Sequence, residues 1–123
     1  MKIYCAHSSG FDYQHEWYDV LRKSKIAQQY ELFFPHELVD IIRSSYETIQ
    51  SSDCIIAEVS HSSTWMGIEL WWAQTLWKPI FCFYKTGTKP SWSLVAVTQD
   101  CLSYNSHEEL IQSVAQCISI NIE

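Results

Sequence analysis

One carboxylate stands out by its company. Glu69 sits among Met66, Ile68, Leu70, Trp71, Trp72 and Ala73. A helix apolar around most of its circumference is expected to be largely buried, and a lone buried carboxylate needs a chemical reason. Near a helix N-terminus the dipole favours its anion. An ionised carboxylate facing a pocket can attack an anomeric carbon; the plain alternative is a solvent-facing helix glutamate. Just upstream, Ser62, Ser63 and Thr64 put hydroxyls and N–H groups at a helix start, which suits a phosphate or a sugar hydroxyl. Ordinary N-capping would need only one of them. Ser8, Ser9 and Gly10 form a second candidate loop, whose glycine lets backbone approach a ligand. It is neither a P-loop nor a GxGxxG turn. His7, His36, Glu37 and His61 share the same presumed edge, but no histidine pair has the i,i+4 spacing of a helical zinc motif. Phosphate contacts or surface roles are expected of them, and no metal. Glu58, at a strand end, is expected to bond loop N–H groups. No serine lies in a GxSxG elbow.

These residues need elements to carry them. Lys2 to Ala6 reads as a short buried strand, followed by the His7–Gly10 loop. Asp12 is a candidate N-cap for a helix running to about Ser24, with Trp17, Val20 and Leu21 inward. Tyr30 to Phe34 is a second strand, closed by Pro35-His36-Glu37. Leu38, Ile41, Ile42, Tyr46 and Ile49 fall at helical spacing over residues 38 to 51. Asp53 to Val59 is a third strand, Thr64 to Trp77 a helix, and Ile80 to Tyr84 a fourth strand. A turn-rich loop follows over residues 86–91. The last strand is Cys101 to Tyr104, with Leu94 to Val97 the less favoured choice. Ser106 and Glu109 form a capping-box pattern before a final helix whose inner face carries Val114, Cys117 and Ile118. Strands alternating with helices predict an α/β domain: a Rossmann-like or flavodoxin-like doubly wound sheet of about five mainly parallel strands with flanking helices. Ligands in such folds sit outside the carboxyl ends of the strands, where the His7, His36 and His61 loops fall.

The bulk composition narrows the partners. A chain of 123 residues that is 47% hydrophobic and 15% aromatic suits one packed domain, not a disordered chain. A net charge of −6 argues against a nucleic-acid polymer but not against a small phosphorylated ligand. No apolar run reaches the ~18–20 residues a bilayer span needs. The N-terminus enters a strand pattern without a signal-peptide layout, so a cytoplasmic protein with no membrane partner is expected. Five widely spaced cysteines, with no CxxC pair, point to buried free thiols and not to disulfides or zinc.

The central stretch resembles the nucleoside 2-deoxyribosyltransferase superfamily, in style nearest its 2′-deoxynucleoside 5′-phosphate N-hydrolase branch. Lys2-Ile3-Tyr4 carries the likeness first. An Asp53-initiated strand ending Ala57-Glu58-Val59-Ser60 continues it, then Ser63, Gly67-Ile68-Glu69-Leu70, Ala73, Lys78-Pro79-Ile80 and Tyr84. The match is dense over about 33 residues and thinner elsewhere. The resemblance implies one domain over residues 1–123 that cleaves the N-glycosidic bond of a nucleoside or its 5′-monophosphate, without a cofactor. Glu69 then looks like the nucleophile at C1′ of the sugar and Ser63 like the 5′-oxygen or phosphate contact. The Ser8-Ser9-Gly10 loop looks like part of the sugar-phosphate cradle. Tyr4, His7, His36, Glu37, Trp65 and Gly67 complete the expected substrate-binding set. A homodimer or higher homo-oligomer is also implied, and Trp71, Trp72 and Trp77 offer aromatic surface for one.

Three positions depart from the family pattern. Trp65 and Trp71 replace glycines, and Ser45 stands where an aspartate assists the departing base. A hydroxyl cannot donate a proton as a carboxyl does at neutral pH; Glu37, Asp40 and Glu47 are the nearby carboxyls that could. Trp65 either narrows the pocket or stacks on a base. Two functions are therefore carried: an N-glycosidase or deoxyribosyltransferase, which is favoured, and a non-catalytic nucleotide or sugar-phosphate binder on the same fold.

Overall fold

The computed structural model describes residues 1–37 and 41–122, with backbone alone for residues 41–43. Its centre is a five-stranded sheet in the order β2-β1-β3-β4-β5, parallel throughout. The strands are β1 (Lys2–His7), β2 (Glu31–Phe33), β3 (Cys54–Glu58), β4 (Ile80–Lys85) and β5 (Cys101–Tyr104). This is the flavodoxin-like order, whose topological switch point lies between β1 and β3. Helices cover both faces, so the central strands are apolar on both sides. In β1, Ile3 and Cys5 pack towards Trp17, Leu21 and, on α5 (His107–Asn121), Leu110, Val114 and Ile118. Tyr4 and Ala6 pack the opposite way, towards Ile49 of α3 (Ile41–Ser51) and Met66, Leu70 and Ala73 of α4 (Thr64–Thr75). Asp53 locks the register: its carboxylate accepts from the Lys2 N–H at 2.7 Å, and its own N–H donates to the Lys2 carbonyl at 2.8 Å. All five cysteines are free, and three are buried.

The early helical region differs from the single helix expected over residues 12 to 24. A π-helical turn, Gln14–Tyr18, runs into the short α1 (Asp19–Arg22), and a separate α2 (Lys25–Gln29) follows. Asp12 does accept from the His15 N–H, at 3.4 Å. Ser24 does not simply end a helix: its side chain caps the next one, accepting from the Ile26 N–H at 3.1 Å. Residues 94–97 lie at a 3₁₀ turn, Trp92–Ala96, and not in a strand. The first residues expected in α3 fall outside the described ones.

Ser63 starts α4, its Oγ accepting from the Met66 N–H at 3.3 Å. The helix ends in a Schellman motif: the Lys78 N–H reaches the Ala73 carbonyl at 2.9 Å and the Trp77 N–H reaches that of Gln74 at 3.1 Å. Trp77 occupies the left-handed position, at φ 60°, where glycine is usual. The expectation that α4 is largely buried holds on one side only. Ile68 is 39% exposed and Trp71 54%, and Trp77 beyond the helix is 90% exposed. The apolar run exceeds what one sheet face and α3 can cover. Among the described residues no helix is long and apolar enough to cross a membrane.

Candidate active site

Glu69 is 1% exposed on the inner side of α4. Its Oε2 accepts a hydrogen bond from the Tyr4 hydroxyl, across 65 residues of sequence. The Ser45 hydroxyl lies 3.2 Å from that of Tyr4. Three elements thus meet at one carboxylate: β1 supplies Tyr4, α3 supplies Ser45 and α4 supplies Glu69. Burial pushes the Glu69 carboxyl up to about 7, while the Tyr4 and Ser45 hydroxyls pull the other way. Burial and the neighbouring carboxylate push the Tyr4 phenol far above its ordinary range, so Tyr4 stays protonated and donates. The second oxygen, Oε1, is buried with no hydrogen-bond partner. A carboxylate near half-ionisation at neutral pH, with one oxygen oriented and the other unengaged, is equipped to act as a nucleophile.

Trp65 lies one turn before Glu69, and its indole Nε1 is also buried without a partner. Its ring meets Trp72 edge-on at 5.7 Å and 88°, and Trp72 meets Tyr46 of α3 at 5.3 Å and 90°. Gly67, two residues from both Trp65 and Glu69, points elsewhere. It lines a cleft of about 300 Å³ with Ser62, Ser63, Ser91 and Leu94, and a Cβ added there would meet nothing within 4 Å. Ser63 is engaged as the α4 cap and lines the same cleft. At the end of β1, Ser8 is fully buried, with an unpartnered Oγ. Ser9 and Gly10 are exposed, and a Cβ on Gly10 would lie 3.7 Å from that of His61.

The remaining expected residues gather on the other side of the sheet, away from Glu69. Tyr4 and His7 differ by an odd number of positions along β1 and so face opposite ways. The His7 Nδ1–H donates to the Ser8 carbonyl at 2.7 Å, which leaves Nε2 to accept from the Tyr18 hydroxyl at 2.6 Å. Burial lowers His7 to about 4: a neutral imidazole with both nitrogens occupied. Tyr13 stacks on His7 at 4.4 Å and on the exposed His36 at 4.9 Å. Glu37 pairs with Arg22, whose guanidinium also lies 4.6 Å from the Phe34 ring. Glu58 bonds the Ser60 N–H at 2.6 Å and also the Tyr104 hydroxyl, and so closes the β3 loop. Of the carboxyls considered for the departing base, Glu37 is thus held by Arg22, Glu47 is exposed on α3 and Asp40 lies outside the described residues.

In the sequence Ser45 stands out only as a departure from a pattern, and Tyr46 only as an apolar position at helical spacing. Tyr46 sits beside Ser45 on α3, and Trp72 is seven residues from Trp65. That helical spacing was the available signal that the ring row and the carboxylate share a face.

No family model and no curated protein matches the sequence. Solved structures do match. A 2-deoxyribosyltransferase from Leishmania mexicana superposes with a TM-score of 0.72 at 16% identity, covering 98% of this chain and 99% of its own. A CMP N-glycosidase from Clostridium botulinum gives 0.69 at 18%, covering 94% and 99%. A 2-deoxyribosyltransferase from Bacillus psychrosaccharolyticus gives 0.65 at 21%, covering 89% and 90%. The chain therefore has the nucleoside 2-deoxyribosyltransferase-like fold over essentially its whole length.

Proposed function

We propose that the protein is an enzyme cleaving the N-glycosidic bond of a small nucleoside or nucleoside 5′-monophosphate, with Glu69 as the nucleophile. One observation carries the reading: a buried carboxylate, oriented through one oxygen by the Tyr4 hydroxyl and unpartnered at the other. The ionised Glu69 attacks C1′ from the face opposite the base. The C1′–O bond forms as the C1′–N bond breaks, and the base leaves with the bonding pair and takes a proton from solvent. Water then attacks C1′ and gives its proton to solvent, and Glu69 departs as the carboxylate. A second base attacking at that stage gives transfer instead of hydrolysis. The Ser63 hydroxyl, whose proton is not used in capping, and the Ser8 hydroxyl are proposed contacts for the 5′ end. The substrate would come from the cytoplasmic nucleotide pool. The open face of α4, with Trp71 and Ile68, supports a homodimer or larger homo-oligomer as the working form.

A second reading rests on Ser45. It puts a hydroxyl, not a carboxyl, beside Tyr4 and Glu69, and a hydroxyl does not protonate a departing base at neutral pH. On that reading the same site binds a nucleotide or sugar phosphate without turnover. The two separate in one assay, in which a panel of nucleosides and nucleoside 5′-monophosphates is incubated with the protein and free base is measured. The first reading expects base release that Glu69→Ala abolishes, and a second added base distinguishes transfer from hydrolysis. Release unchanged in Glu69→Ala removes Glu69 as nucleophile. Thermal stabilisation by these ligands without any base release selects the binding module.

A further inference from the structure

Two of the three buried side-chain atoms found without partners among the described residues lie one helical turn apart on α4: Trp65 Nε1 and Glu69 Oε1. Their hydrogen-bonding characters are opposite. An indole N–H only donates and a carboxylate oxygen only accepts, yet they are not bonded to each other. A buried polar group with no partner is costly unless something engages it, and the donor is held in place. Trp65 meets Trp72 edge-on, and Trp72 is met in turn by Tyr46. A hydroxyl satisfies a donor and an acceptor at once, because it accepts through oxygen and donates its own proton.

Stereochemistry says which hydroxyl. In a β-nucleoside the base stands on the upper face of the sugar, so Glu69 must reach C1′ from the lower face. In ribose the 2′-hydroxyl projects from that lower face, on the carbon next to C1′. In 2′-deoxyribose it is missing, and in arabinose it stands on the upper face. We infer that Trp65 and Glu69 together form a 2′-hydroxyl subsite, and that the substrate is a ribonucleoside or ribonucleotide in preference to its 2′-deoxy counterpart. The inference rests on the proposed glycosidic cleavage at Glu69 and deepens it. It gives Trp65, where a glycine would leave no donor, the role of a specificity-determining residue.

The test compares ribo-, 2′-deoxyribo- and arabinonucleosides and their 5′-monophosphates as substrates of the wild-type protein and of Trp65→Phe. Phenylalanine keeps a ring against Trp72 but removes the donor. Losing one hydrogen bond to a buried donor corresponds to roughly tenfold or more in kcat/KM. The wild type is expected to favour the ribo series over both others by at least that factor. Trp65→Phe should lower kcat/KM for the ribo series alone, so that the three sugars converge. A wild-type preference for 2′-deoxy substrates, or an equal loss on all three in the variant, overturns the subsite and leaves glycosidic cleavage standing. Should none of the compounds release base, cleavage fails, and the subsite is then read by calorimetric binding of the same compounds. Ribo-selective binding lost in Trp65→Phe upholds it, and equal binding of the three sugars overturns it.

Discussion

Replacing Tyr4 by Phe removes one oxygen atom and tests the core of the site. Tyr4 is fully buried, so a phenyl ring of the same outline keeps the packing and loses the hydrogen bond to Glu69. A hydrogen bond to a charged group contributes about 1.5–3 kcal/mol. At 1.36 kcal/mol per pH unit this moves a carboxyl upward by ~1–2 units. Ser45, whose hydroxyl lies 3.2 Å from that of Tyr4, can take over part of the contact, which places the expectation near the lower end. The wild-type carboxyl sits at about 7. In the proposed mechanism Glu69 must be ionised to attack, so kcat/KM is expected to rise with pH through that value. With the midpoint moved to about 8, the ionised fraction at pH 7 drops from about a half to about a tenth. Activity at pH 7 then falls about fivefold, and by pH ~9.5 it returns to the plateau. Rates of base release from pH 5 to 10 measure this, and a titration of ¹³C-labelled glutamate carboxyls reads the same midpoint without turnover. A midpoint that stays put or moves to lower pH, or a loss equal at every pH, would refute the assignment of Tyr4 as the donor that tunes Glu69.

Two further expectations concern stability. Glu69 rises from an ordinary 4.5 to about 7 on folding, so its contribution is fully present below pH ~4.5 and is lost as pH rises to about 7, by up to ~3 kcal/mol. His7 falls from 6.5 to about 4, so its contribution is present above 6.5 and lost as pH falls towards 4, by a similar amount. The slopes oppose each other in their shared window. Glu69→Gln should therefore gain on the wild type towards pH 8 and uncover the His7 slope in urea unfolding; parallel pH dependences for the two proteins would contradict the buried, raised carboxyl. Separately, Trp77 holds a left-handed backbone conformation and is 90% exposed. Trp77→Gly should raise the stability of the single chain by up to ~1 kcal/mol, and a lower midpoint in denaturant at low protein concentration would show that the ring makes contacts worth more than the strain.

The parallel sheet was legible because its strands are buried on both faces and read as short, nearly continuous apolar runs between loop residues. Cys54-Ile55-Ile56-Ala57 and Ile80-Phe81-Cys82-Phe83 are the clearest. The break at Ser24 was not, because a serine ending one helix looks the same as a serine capping the next. Glu69 could be singled out by its apolar neighbours, but its partner could not: nothing local marks a tyrosine 65 residues away. Parity along β1 could have shown that His7 and Tyr4 cannot share a side, which separates the histidines from the carboxylate before any coordinates exist. The exposed side of α4 was hidden for the opposite reason. Apolar residues all round a helix look alike, and only the three-dimensional neighbours decide which are covered.

The strand order has a consequence for how the chain is assembled. β1 is the second strand across the sheet and is flanked by β2 and β3, so it must wait for the residues after 50 before both its edges are paired. Until then it presents an apolar edge of the kind that associates with other chains. Parallel pairing between strands distant in sequence is also slow to form. The contact between Tyr4 and Glu69 closes only once α4 has docked on the sheet. A nascent or truncated chain ending before Glu69 would contain β1, β2 and β3 but not the proposed nucleophile. The buried carboxylate therefore arrives with the helix that covers that side of the sheet, and not before it.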